Sequence, residues 1–138
     1  MEDVALCATD FKRIMQNIII VKSMDFAVRI VNLYKYLCKE KNENIMAKQV
    51  LRSGTSIGAN VREGVYAASK ADFIAKLTIS LKEANETAYW LELLAKTDYL
   101  TQEQYNDIGN DCTELIKILT SIVKKSKKQS PAGDNHHY

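Results

Sequence analysis

Helix-breaking residues are scarce in this chain. Its 138 residues include one proline, Pro131, and five glycines. Beside abundant Ala, Leu, Ile, Lys and Glu, that scarcity excludes a turn-rich chain and argues for helix. Cys7, Cys38 and Cys112 lie far apart, and no Cys-x-x-Cys pair occurs. This excludes a disulfide framework and a paired redox motif. The longest unbroken aliphatic run, Ile18 to Val21, excludes a membrane helix, which needs about 20 apolar residues. No apolar stretch follows a basic start at the N-terminus, so a cytosolic, reduced protein is expected. Histidine is missing until His136 and His137.

The missing histidines remove most chemistry. Di-metal carboxylate sites in helical bundles need Glu-x-x-His pairs facing inward. Glu63, Glu83, Glu86 and Glu92 are present without such a partner. Serine and cysteine nucleophiles need a base, usually histidine. Ser53-Gly54-Thr55-Ser56-Ile57-Gly58 superficially suggests a phosphate loop, but the Gly-Lys-Ser/Thr ending is absent and no strand precedes it. No catalytic residue, cofactor or metal is therefore expected, and the chain reads as a non-enzyme.

A chain of this length forms one domain that buries roughly 68% of its unfolded surface. Hydrophobic periodicity outlines four helices. Phe26, Ile30, Leu33, Tyr34 and Leu37 stripe a first helix from Ser23 to Cys38. Val50, Gly54, Ile57, Val61 and Val65 stripe a second, Ile45 to Tyr66. A third, Ala71 to Ala95, carries Ile74, Leu77, Leu81, Ala84, Ala88, Leu91 and Ala95. The fourth, Thr101 to Lys125, carries Tyr105, Ile108, Cys112, Leu115, Leu119 and Ile122. Ser69 with Asp72, and Thr101 with Gln104, resemble capping boxes. Cys38 and Cys112 continue apolar stripes and read as core. Residues 1–22 form an N-terminal extension in which helix is favoured over strand, residues 23–125 the bundle, and residues 126–138 a flexible basic and polar tail. Short connections predict an antiparallel, up-down-up-down, all-α four-helix bundle.

Gly54, Gly58 and Gly64 each cost about 1 kcal/mol inside a helix relative to Ala. Close approach to a neighbouring helix is the usual compensation. The third helix also has a second face, with Asp72, Lys76, Ile79, Glu83, Glu86 and Trp90, that Arg52, Asn60, Arg62 and Glu63 of the second helix could meet. One reading is a solvated charged face whose ion pairs contribute little. The other is a partly buried network that fixes helix register or a subunit contact. Gly54, Gly58, Asn60, Glu63, Asp72, Phe73, Glu83, Glu86 and Trp90 are accordingly assigned to helix packing or a subunit interface.

Net charge is +2 but unevenly spread: +7 over residues 11–70 and −6 over residues 71–116. Such asymmetry fits either nucleic-acid binding or self-complementary association. Phosphate contact is assigned to Lys48, Arg52, Arg62, Lys124, Lys125, Lys127 and Lys128. The competing reading is an adaptor that binds a protein partner and no nucleic acid.

Three blocks carry a family resemblance over residues 17–125. They are Asn17-Ile18-Ile19 with Lys22-Ser23, Phe26-Ala27 and Leu33-Tyr34-Lys35-Tyr36-Leu37; Arg52-Ser53-Gly54-Thr55-Ser56-Ile57-Gly58-Ala59-Asn60; and Asp72-Phe73-Ile74 with Leu81-Lys82-Glu83, Glu86-Thr87 and Tyr89-Trp90-Leu91. Together they resemble the family encoded in intervening sequences of bacterial 23S rRNA genes. The resemblance implies a four-helix bundle assembled as a homopentameric ring. It also implies likeness to the accessory variability protein of diversity-generating retroelements, a strongly basic pentamer that binds nucleic acid and a reverse transcriptase. The family has no settled biochemical activity and supplies no catalytic residues.

Overall fold

The computed structural model describes residues 8–128. It contains α1 (Ala8–Glu40), α2 (Ile45–Val65), α3 (Lys70–Lys96) and α4 (Gln102–Lys128), with no strand among the described residues. Each helix packs on the next, and α4 returns to α1. The result is the expected up-down-up-down bundle.

The first boundary differs from the sequence reading. Residues 8–22 are not a separate extension but the first half of α1. The run Ile18 to Val21 hides this because it is apolar around the whole circumference. Ile19 is fully buried, Ile20 packs against the core, and Val21 points outward at 58% exposure. The weak helix propensity of β-branched residues yields to this packing. The other end also shifts, because Ser126, Lys127 and Lys128 belong to α4 and Ser126 is buried. The rest of the expected tail, 129–138 with His136 and His137, lies outside the described residues, as does Cys7.

Local chemistry sets the helix ends. Thr101 and Gln104 form a full capping box: the Gln104 amide donates to Thr101 Oγ1 (3.1 Å), and the Thr101 amide donates to Gln104 Oε1 (2.9 Å). At α3, Ser69 Oγ accepts from the Asp72 amide at 3.1 Å. At α2 the nominal cap, Asn44, makes no side-chain bond. Glu43 takes its place, the buried carboxylate accepting from the Ala47 amide at 2.9 Å. Glu43→Ala is therefore expected to cost about 1 kcal/mol, as removal of a cap does, and to lower the thermal midpoint by a few degrees in a circular-dichroism melt.

The core runs the length of the bundle. Ile19, Phe26, Ile30 and Leu37 from α1 meet Val50, Ile57 and Val61 of α2, Leu77, Ala84 and Leu91 of α3, and Leu115 and Leu119 of α4. Glycines let α2 approach both neighbours. A Cβ on Gly54 would lie 2.7 Å from Ile30 Cγ1, and one on Gly58 would lie 3.3 Å from the Ser23 carbonyl oxygen. A Cβ on Gly64 would overlap Leu77 of α3. Small hydroxyls complete the α2–α3 contact: Thr87 donates to Ser53 Oγ at 2.9 Å and Ser80 to the Ile57 carbonyl at 2.8 Å.

Candidate nucleic-acid interface and the charged seams

Along the α2–α3 seam, Arg52 reaches Glu83 (3.2 Å) and Glu86 (2.5 Å), and the Trp90 indole N–H donates to Glu86 Oε2 at 3.0 Å. The Trp90 hydrogen bond, then Arg52, holds the Glu86 carboxyl below its ordinary range. That preference adds stability at neutral pH, and the gain disappears as pH falls through the depressed value. Glu86, then Glu83, pushes the Arg52 guanidinium up. Glu83 Oε1 is sealed from solvent with no hydrogen bond aimed at it, although Arg52 lies 3.2 Å away. Glu63 meets Lys76 of α3 at 3.0 Å. Trp90 is half-buried, edge-on to the Tyr89 ring with centroids 5.1 Å apart. These side chains make a partly buried network along the seam.

Not every assigned residue joins it. Asn60 donates to the Ser56 carbonyl of its own helix. Asp72 is exposed, and Phe73 is a core residue with the Lys12 ammonium 5.5 Å from its ring centre. Cys112 is core as expected. Its thiol donates to the Ala84 carbonyl at 3.4 Å, and burial pushes its pKa up to about 12, so it is inert at neutral pH. Cys38 is half-buried against the core.

A second charged seam was missed by sequence reasoning. Arg29 of α1 pairs with Asp111 and, at 2.7 Å, with Asp107 of α4, while Lys22 meets Glu114 at 3.3 Å. The signal was present: Lys22 and Arg29 lie seven residues apart, and Asp107, Asp111 and Glu114 follow at four and three. Together the two seams pair five carboxylates of the acidic second half with three cations of the basic first half. Much of the opposition between the halves is thus satisfied inside one subunit.

The cations assigned to phosphate contact do not share a surface. Lys48 stands in the first turn of α2, at the opposite end of the bundle from Arg62 and the lysines closing α4. Arg52 lies between and is held by two carboxylates, which compete with phosphate for its donors. Arg62, Lys124, Lys125, Lys127 and Lys128 do meet at one end. There the antiparallel topology adds Lys12 from the start of α1 and Lys70 from the start of α3. Lys125 stands over the Phe11 ring, 4.2 Å from its centre, which ties the end of α4 to α1. None of these seven cations has a carboxylate partner among the described residues. Of the acids beside them, Asp10 is taken by Arg13 and Glu63 by Lys76, while Asp72, exposed in the first turn of α3, makes no ion pair among the described residues. Among the described residues no group of three His, Cys, Asp or Glu side chains could hold a metal ion, and no helix is long and apolar enough to cross a membrane.

The family model of the 23S rRNA-intervening sequence protein matches residues 15–121, and the chain belongs to that family. Among solved structures it is similar to a protein of unknown function from the S23 ribosomal protein family of Bacteroides thetaiotaomicron VPI-5482. That likeness has a TM-score of 0.79 and 63% identity, covering 80% of this chain and 98% of the other. No curated protein matches the chain.

Proposed function

We propose that this is a non-enzymatic, homo-oligomeric helical-bundle protein that holds RNA or DNA by its phosphates at the basic end of the bundle. The observation that carries this reading is the convergence of Lys12, Arg62, Lys70, Lys124, Lys125, Lys127 and Lys128 from four helix termini onto one end. No carboxylate among the described residues pairs with them, which leaves their donors to phosphate. Fluorescence anisotropy with labelled RNA and DNA over a salt series tests it. The logarithm of affinity is expected to fall linearly with the logarithm of salt, with a slope of about −3 to −5 if four to six phosphates are engaged. No binding at low salt would reject the reading.

A second reading, an adaptor ring that binds a protein partner and no nucleic acid, is favoured by a different surface. Val21, Met24 and Val28 line the outer side of α1 at 58%, 46% and 53% exposure. Of these, Met24 lines a groove of about 410 Å³ between α1 and α2, together with Ile20, Ala27, Gly58, Ala59 and Arg62. An apolar row left exposed on the outer side of a helix marks a surface that a partner can cover. The first such cover is another copy of the chain, and the family resemblance suggests five. Light scattering after size exclusion decides the point: a particle of 15.6 kDa at physiological salt would reject assembly.

A further inference from the structure

Tyr66 is the most exposed large side chain among the bundle's apolar and aromatic residues, at 79%. It caps the C-terminus of α2, its amide donating to the Arg62 carbonyl, and the Ala67 amide then donates to Gly64 as the chain reverses. The ring is therefore carried on a fixed turn. One helical turn before it stands Arg62, and four residues after it Lys70 opens α3. The fold asks nothing of this ring, which makes no hydrogen bond among the described residues and lies outside the core. The other two aromatics of this end each have a lysine over the face, Lys125 on Phe11 and Lys12 on Phe73. No cation covers Tyr66 among the described residues.

A bare aromatic face carried on a turn between two cations without carboxylate partners among the described residues matches one kind of ligand. Phosphates satisfy the cations, and an unstacked base satisfies the ring. In a duplex the base faces are stacked on one another and closed to a side chain, whereas a single strand presents them. We propose that the basic end takes single-stranded nucleic acid in preference to duplex, with a base stacked on Tyr66 between the phosphate contacts of Arg62 and Lys70. This inference rests on the phosphate-binding reading given above and names the class of strand.

The test uses the full chain and fluorescein-labelled strands of about 20 nucleotides, as RNA and as DNA, each alone and annealed to its complement. Wild-type protein is expected to bind the single strand about tenfold more tightly than the duplex. Tyr66→Ala is expected to weaken single-strand binding about tenfold and to leave duplex binding unchanged. Tyr66→Phe should bind as wild type, because the face and not the hydroxyl does the stacking. The salt slope should stay the same in both variants, since every phosphate contact is retained. Equal affinity for single strand and duplex, or a Tyr66→Ala protein with wild-type affinity, overturns the inference and leaves phosphate binding standing. Absence of binding to any strand overturns both.

Discussion

Gly54→Leu is expected to destabilise the bundle by about 3 kcal/mol, lowering the thermal midpoint by roughly 10 °C. The reason is geometric. Even a single methyl at residue 54 would lie 2.7 and 2.8 Å from the two γ-carbons of Ile30, well inside van der Waals contact. Those atoms branch directly from the Ile30 Cβ, and a β-branched side chain on a helix has essentially one χ1 rotamer, so it cannot swing aside. Ile30 is itself fully buried among core residues, so moving it disturbs the rest of the core. Gly58 supplies the contrast. A methyl there would meet the Ser23 backbone at 3.3 Å, which a shift of a few tenths of an ångström relieves. Gly58→Ala is expected near neutral, because Ala regains up to about 1 kcal/mol of helix propensity. Gly58→Leu has no such room against a backbone and is expected to cost about 1–3 kcal/mol, as overpacking typically does. Circular-dichroism melts of the four proteins check the order. A Gly54→Leu protein that melts with wild type would mean that α1 and α2 are not in close contact at this level.

Replacing Lys124, Lys125, Lys127 and Lys128 together by Ala should reduce the salt slope of nucleic-acid binding by about 3 and affinity at physiological salt by roughly a hundredfold or more. The slope counts the phosphates neutralised, and each one given up takes roughly 0.7 to 0.9 from it. The lysines are exposed, so their replacement leaves the core intact, and they stand at a helix C-terminus, where each contributes only a few tenths of a kcal/mol to stability. Substitution is the cleaner experiment than cutting the chain at Lys124. Both changes remove the Lys125–Phe11 contact, but truncation would also remove buried Ser126 and the last turn of α4. An unchanged slope in the quadruple variant would relieve these lysines of the role. The Lys48→Ala protein, altered at the opposite end, is the internal control and should bind as wild type.

Periodicity made most of the fold readable, and the exceptions have physical causes. α2 and α4 alternate an apolar stripe with a polar face, so their extent follows from spacing alone. The first half of α1 does not, because Ile18, Ile19, Ile20 and Val21 place apolar side chains on every side and produce no stripe. Close packing through Gly54 and Gly58 was legible, since a glycine inside a helix needs a compensating neighbour. The Arg52–Glu83–Glu86–Trp90 contacts were half legible: the spacing put their members on faces of two adjacent helices but left open a solvated charged face or a partly buried network. The α1–α4 pairs were not. Arg29 and Asp111 are 82 residues apart, and only the closing of the bundle brings them together. The basic end was half legible: the four terminal lysines form a visible run, but Lys12 and Lys70 are single residues in the sequence and join it through topology.

That same closing seam separates the order of assembly from the order of the chain. Three of the four helix interfaces join sequence neighbours, which favours rapid folding, and only α1 with α4 brings distant segments together. Their backbones also approach least, leaving Arg29 and Lys22 to bridge the gap by ion pairs. The seam should therefore close after the transition state. Removing Arg29 would then accelerate unfolding while leaving the rate of folding nearly unchanged, so this seam sets how long a folded molecule lasts rather than how quickly it forms.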